Sequence, residues 1–354
     1  MISIRALVVG CASLCLSCGL ARAEETMHAI RYQTTGPSSV LQYDTIPKPT
    51  PGPGEVLVKV MASGVNPVDG QLRSRPADND RRIFPIIPGH DIAGPIVAVG
   101  TGVSRKLISS DVFALLSWKG GGYAEYVTVP ADAIASKPKR LSYVEAAAVP
   151  LAGLTAYQAL FTDGHLRAGQ TVLIHGASGG VGHLAIQLAR HAGARVIATA
   201  STQNLDFLRS AGADVVVDYK TQKFEDFAHD VDLVLDTVGG DTLVRSYAVV
   251  RHGGMVISLV QIPDLPTLAD RAAHGMRTLV HPDPRQLKEL AVLADRGVIK
   301  PAIAATYPLD KAGAAQDDLE RLHRPGKLVL LSPSLEAARA ESEGASPRLP
   351  TAGS

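Results

Sequence analysis

The chain has 354 residues, a formal charge of +1, 46% hydrophobic and 19% charged side chains, and few aromatics. That length allows two domains with sizeable cores. The near-neutral charge gives no electrostatic basis for a nucleic-acid partner, and no apolar run is long enough to span a bilayer.

The first element is a leader. Met1–Arg5 carries one positive charge, Ala6–Leu20 is apolar and small, and Ala21-Arg22-Ala23 reads as an A-x-A cleavage site. That order predicts a signal peptide over residues 1–23, cut before Glu24, and hence a periplasmic or secreted protein. The alternative is a cytoplasmic protein translated from Met27. Cys11, Cys15 and Cys18 all lie in the leader. No other cysteine follows, so a disulfide, a thiolate zinc site and a cysteine nucleophile are excluded from the rest of the chain.

Residues 27–147 read as an irregular, mostly antiparallel, barrel-like β domain. Val56–Met61 alternates behind Pro51-Gly-Pro-Gly54, and Gly94–Val99 and Tyr123–Val129 are further short β-branched runs. From about Ala146 strands alternate with helices. Strands are expected at Thr171–Ile174, Arg195–Ala200, Val215–Asp218, Val231–Asp236, Val256–Val260 and Arg277–His281. One helix runs to about His191, another covers Leu205–Ala211, and one follows each of the next two strands. This alternation predicts an α/β fold with a doubly wound parallel sheet over residues 148–299. Pro284–Arg296 is a further helix, with Leu287, Leu290, Ala291 and Leu293 on one face. Residues 300–333 predict a strand, a helix from about Leu309 and a final strand Lys327–Leu331 that returns to the first domain. Residues 334–354, rich in Ala, Ser, Glu and Pro, are expected to be a disordered tail.

The chemistry starts at Gly176-Ala-Ser-Gly-Gly-Val-Gly182, between a buried strand and a helix. Glycine lets the backbone turn tightly, and the free amides of the helix start face a pyrophosphate. Gly176, Ser178, Gly179, Gly180, Val181 and Gly182 are therefore candidate contacts for a nicotinamide dinucleotide. The end of the second strand, Ala198-Thr-Ala-Ser-Thr-Gln-Asn-Leu205, carries no acid for a ribose 2′-hydroxyl. Ser201 and Thr202 can instead donate to a 2′-phosphate, so NADP(H) is expected over NAD(H).

Ala148–Leu160, followed by Val172–Gly182, resembles the zinc-independent quinone oxidoreductase (zeta-crystallin-like) branch of the medium-chain dehydrogenase/reductases. Ala62–Asp69, Pro88–Gly94, Gly122–Val129, Val234–Gly240 and Gly326–Leu330 support it in the same order, over roughly Met27–Ser332. The resemblance implies a GroES-like catalytic domain over 27–147, completed by 300–333, a Rossmann domain over 148–299, an active site between them, and a homodimer. It implies hydride transfer from NADPH to a small-molecule acceptor, a quinone or an α,β-unsaturated carbonyl. It places Thr155 close to the cofactor and Ser201 and Tyr219 on the 2′-phosphate. A lysine common in the family after the second strand is replaced by Asn204, and Arg209 is a candidate to stand in for it.

Zinc-dependent cousins carry Cys at the position of Asn66 and Gly-His-Glu at Gly89-His90-Asp91, where His90 matches a zinc ligand. An amide is a poor zinc ligand, so no metal is expected. Without a Lewis acid an already electrophilic quinone or enone suits the site better than an alcohol. Asn66 is then the candidate hydrogen-bond donor to the acceptor oxygen and His90 the candidate proton donor. Each has a plainer alternative: Asn66-Pro67 as a turn, His90 as a structural histidine. Asp69 is expected to fix the loop by hydrogen bonds, and Trp118 and Tyr123 are candidates to line the acceptor pocket. Alternative functions are a non-catalytic dinucleotide-binding or redox-sensing protein and a zinc alcohol dehydrogenase.

Overall fold

The computed structural model describes residues 25–76, 83–321 and 324–344. The leader and residues 345–354 lie outside the described residues.

The central element is a six-stranded sheet in the order Val215–Asp218, Arg195–Ala200, Thr171–Ile174, Val231–Asp236, Val250–Ser258, His274–Arg277. All neighbours are parallel. The first strand in sequence, Thr171–Ile174, sits in the interior, and the chain winds outward to one side before crossing to the other. Val172, Leu173 and Ile174 are fully buried, as a parallel sheet covered on both faces requires. The glycine turn leaves the carboxyl end of this strand at the switch point of the strand order, where α/β sheets open a crevice. It leads into the helix Gly180–His191, which buries Leu184, Ala185, Ile186, Leu188 and Ala189.

Three expectations are corrected on this side. The fifth strand begins at Val250, and the sixth is His274–Arg277, which pairs with Met255–Ser258. Leu279, in the apolar run that suggested a strand, is exposed. After Val215–Asp218 the short link to Val231 holds only a single helical turn, Phe224–Asp226.

The second large sheet is mostly antiparallel. It runs Ile303–Pro308, Lys327–Leu331, Ala62–Val65, Asp91–Val99, Glu55–Lys59, Tyr126–Pro130, with Asp111–Leu115 also paired to Asp91–Val99. Its strands come from both ends of the chain: Leu328 pairs with Val65 and Leu331 with Ala62. The two sheets share one apolar seam. Ala62, Ala93, Phe113 and Leu115 join Ala146–Val149, Leu154, Ile174 and Leu184 in one buried cluster. The short helices Tyr143–Ala147 and Pro150–Tyr157 carry that seam across.

The expected disorder from residue 334 is corrected as far as 344, because Pro333–Gly344 is a helix. Proline opens it, where the missing N–H costs nothing, and Ser332 Oγ accepts the Leu335 N–H at 3.3 Å. Leu335 packs on the main core, a tertiary contact that the composition of the segment does not show.

Candidate active site between the two sheets

The glycine turn is built as a cradle. Gly176 has φ +63°, and a Cβ there would lie 2.1 Å from Thr237 Oγ1. A Cβ at Gly182 would lie 2.6 Å from Ala177 Cα, so the helix packs directly on the turn. Over Gly179, by contrast, the nearest atom is Gly176 O at 3.3 Å, and no side chain caps the helix start. The amides of Gly180, Val181 and Gly182 there are the ones an α-helix leaves unpaired. Gly176–Gly182 therefore fit the pyrophosphate of a dinucleotide.

The rim beyond the turn is organised by Asn204. Its Nδ2 donates to Ser178 Oγ (3.2 Å) and Ser201 Oγ (3.3 Å), tying the turn to the end of the second strand. The residue that departs from the family's lysine is thus a structural bracket. Thr202 is corrected as a phosphate donor, because its hydroxyl donates to Asp218 Oδ2 at 2.6 Å. Asp218 lies opposite Ala200 on the neighbouring strand, a carboxylate beside the rim that the second strand alone did not reveal. Tyr219 follows it and is 60% exposed. Arg209 pairs with Asp206 at 2.6 Å on an exposed helix face. Thr155 is buried, and its hydroxyl donates to Leu151 O at 2.6 Å.

Asn66 and His90 meet in a buried polar cluster next to the turn. Asn66 precedes the helix Pro67–Ser74, and its N–H donates to Asp69 Oδ2 at 2.9 Å. Asp69 also accepts the Tyr123 hydroxyl at 2.8 Å and holds His90 Nδ1 at 2.8 Å. Asp69 is thus the loop-fixing group. Tyr123 is fully buried on this carboxylate and lines no open pocket, whereas Trp118 is half-exposed with its ring 5.2 Å from His90. His90 is 2% exposed, and its Nε2 has no hydrogen-bond partner. The Asn66 carboxamide is engaged at both ends: Nδ2 donates to Asp91 Oδ2 (2.9 Å) and Oδ1 accepts from Lys327 Nζ. The expected direct bond from Asn66 to an acceptor is therefore not prepared here, because one Nδ2 proton faces the Asp91 carboxylate and the other Gly64 O at 3.4 Å. Asp91 also takes the Leu151 N–H at 2.6 Å and stands 3.6 Å from Lys327 Nζ. Lys327 and Asp91 are the site residues that sequence reasoning missed.

Burial shifts these groups in opposite directions. It raises Asp91 and lowers Lys327, each opposed by the other's charge. For His90, burial disfavours the charged ring, but the hydrogen bond and charge of Asp69, with Asp91 and the Trp118 backbone, outweigh it and raise the pKa. The donor set does not fit zinc. One member is a carboxamide already bonded, another is a lysine ammonium, and only His90 Nε2 is free to ligate. Among the described residues no group of three or more His, Cys, Asp or Glu is arranged around a metal position.

A dinucleotide cradle on a doubly wound sheet, facing a polar cluster on a mostly antiparallel sheet, defines a two-domain nicotinamide-dependent oxidoreductase. Residues 52–139 match the alcohol dehydrogenase GroES-like domain family, and residues 211–330 match the family described as zinc-binding dehydrogenase. The chain is 36% identical to 2-methylene-furan-3-one reductase of Solanum lycopersicum, over 86% of this chain and 79% of that protein. It is 33% identical to the NADPH-dependent alkenal/one oxidoreductase of Arabidopsis thaliana, chloroplastic, with the same coverage. The quinone oxidoreductase structure from Coxiella burnetii superposes with a TM-score of 0.80 at 32% identity, covering 87% of this chain and 99% of that one. The protein belongs to the quinone oxidoreductase branch of the medium-chain dehydrogenase/reductase superfamily.

Because the folded pKa of His90 lies above the ordinary 6.5, protonation strengthens the folded state. That contribution is complete below pH 6.5 and is lost as pH rises through the raised value. The stability advantage of wild type over His90→Gln, measured by urea unfolding, should be largest at acid pH and shrink toward alkaline pH. A gap that widens with pH would contradict the His90–Asp69 assignment.

Proposed function

We propose that this protein is an NADPH-dependent, zinc-independent reductase that delivers hydride to the electrophilic carbon of a quinone or an α,β-unsaturated carbonyl acceptor. The observation that carries the reading is His90, a buried ring held at Nδ1 by Asp69, with no regular hydrogen bond at Nε2 and with the half-exposed Trp118 beside it, whose backbone also favours the charged ring. When bound, the nicotinamide supplies the hydride. The amides of Gly180–Gly182 hold the pyrophosphate, Thr155 lies near the cofactor, and Ser201 and Tyr219 face the 2′-phosphate. Ser201 Oγ accepts from Asn204 and so keeps its own proton to donate.

Hydride arrival places negative charge on the acceptor oxygen. Asp69 holds the Nδ1 proton of His90, so the second proton of the imidazolium sits on Nε2, where it can stabilise and then protonate that oxygen. Asn66 orders the loop rather than touching the acceptor. A quinone or enone is already electrophilic and needs no metal to polarise it. The relatives named for an alkenal/one oxidoreductase and a furanone reductase act on this chemical class and support the reading, as does the NADPH in one of those names.

Purified protein should oxidise NADPH with a panel of quinones and enones, and faster than it oxidises NADH. His90→Ala should lower kcat/KM by about 10²–10⁴, and Ser201→Ala should raise KM for NADPH more than for NADH. Dinucleotide binding without turnover on any acceptor would overturn the function.

We further propose a homodimer formed on the outer strand His274–Arg277, an open sheet edge with Met276, Leu279, Ile262 and Leu265 exposed nearby. Light scattering should give twice the chain mass, and Met276→Lys should shift it to monomer. For location, the three-zone order of residues 1–23 supports export and cleavage before Glu24. N-terminal sequencing from fractionated cells checks this, and a cytoplasmic protein starting at Met27 overturns it.

A further inference from the structure

Lys327 is the least expected side chain in the site. It opens the strand Lys327–Leu331, it is 4% exposed, and lysine is almost never buried unless it is paired. Its Nζ donates to Val65 O at 2.8 Å and to Asn66 Oδ1, and lies 3.6 Å from Asp91 Oδ2. The rest of the residue faces the other half of the site. A Cβ at Gly180 would fall 2.7 Å from Lys327 Cδ, so the methylene stem lies directly on the first residue of the helix that receives the pyrophosphate. One residue earlier, the Gly326 N–H donates to Ser178 O at 2.9 Å. Gly326 has φ +94°, and a Cβ there would strike Ala302 O at 2.3 Å, so this approach needs glycine.

A single side chain thus touches both the cofactor turn and the Asn66 loop. Its charge is not the cheapest way to fill the space, since a buried ion pair is often no more stable than apolar groups of the same volume. What the ammonium does that a methyl could not is choose the orientation of the Asn66 carboxamide. A donor placed on Oδ1 forces Nδ2 toward Asp91, and the Asn66 N–H holds Asp69, which in turn holds His90.

We infer that Lys327 is a positioning residue that sets the register between the glycine turn and the Asn66–Asp69–His90 loop, so that cofactor and acceptor meet in reacting geometry. The inference rests on the hydride-transfer reading above. It predicts a kcat effect, because small misplacements of reacting groups cost rate far more than they cost binding.

The test compares Lys327→Met, which keeps the stem on Gly180, with Lys327→Arg, which keeps the charge. Lys327→Met/Asp91→Asn also removes the Asp91 charge that would lose its ammonium partner, should the single Met variant fail to fold. NADPH affinity by fluorescence should stay within about three-fold of wild type. On the acceptor that wild type reduces best, kcat should fall roughly ten- to a hundred-fold in the Met variants, with part of it recovered by Arg. A second readout needs no turnover: hydrogen exchange of residues 62–69 with and without NADPH or NADH. In wild type, cofactor bound at the turn should slow exchange across this loop, and in the Met variants that protection should vanish while the cofactor still binds. Unchanged kcat, or loop protection that survives in the Met variants, would overturn the inference. Wild type that protects the loop but reduces no acceptor would overturn the functional reading and leave the Lys327 assignment standing.

Discussion

Two carboxylates are buried side by side in this protein, and much of the site follows from the need to satisfy them. Asp69 is 1% exposed and Asp91 0%. An unpaired buried carboxylate costs several kcal/mol, so each must be surrounded by donors. Asp69 takes the Asn66 N–H, the Tyr123 hydroxyl and His90, while Asp91 takes the Leu151 N–H, the Asn66 amide and the field of Lys327. Those donors come from the loop after Ala62–Val65, His90 just before Asp91–Val99, the bend at Tyr123, the helix Pro150–Tyr157 and the late strand Lys327–Leu331. Satisfying the two acids therefore pins together segments from both ends of the chain and both sides of the cleft.

That pinning has a chemical result. His90 is left with Nδ1 held by Asp69 and Nε2 without a hydrogen-bond partner, the arrangement on which its proposed role as a donor rests. The structural reading of His90 rests on Nδ1, and the proposed chemical one on Nε2. Asn66 moves the other way. An exposed amide could serve an acceptor, but this one is spent inside the network, and its contribution is to hold the loop in register.

The four inner and early strands of the Rossmann half were legible in the sequence, although its fifth and sixth strands were not. Thr171–Ile174, Arg195–Ala200 and Val231–Asp236 are short buried runs whose identity depends on local composition and on the turns that bound them. The glycine turn was equally plain, because positive φ and close packing are properties of the glycines themselves. Legibility failed where a segment takes its state from distant partners. Val250–Ser258 is longer than its apolar run because Val250 pairs with Val231 ahead of an irregularity in the register, and Pro333–Gly344 is a helix because Leu335 finds the core.

By itself the sequence determined the doubly wound sheet, the dinucleotide cradle, the return of the chain to its first domain and the lack of cysteine past Cys18. These are written in periodicity, glycine placement and residue type, all of which act over a few residues. The tertiary structure alone decided what the polar residues do. Asn66 and Lys327 lie 261 positions apart, and Ser178 and Asn204 26 apart. Whether an amide is a free donor or a bracket depends on what stands within 3 Å of it, and nothing in its sequence neighbourhood encodes that. The lysine at 327 could be quoted as part of a motif, but its role appeared only when folding laid its stem on Gly180 and its charge on Asn66.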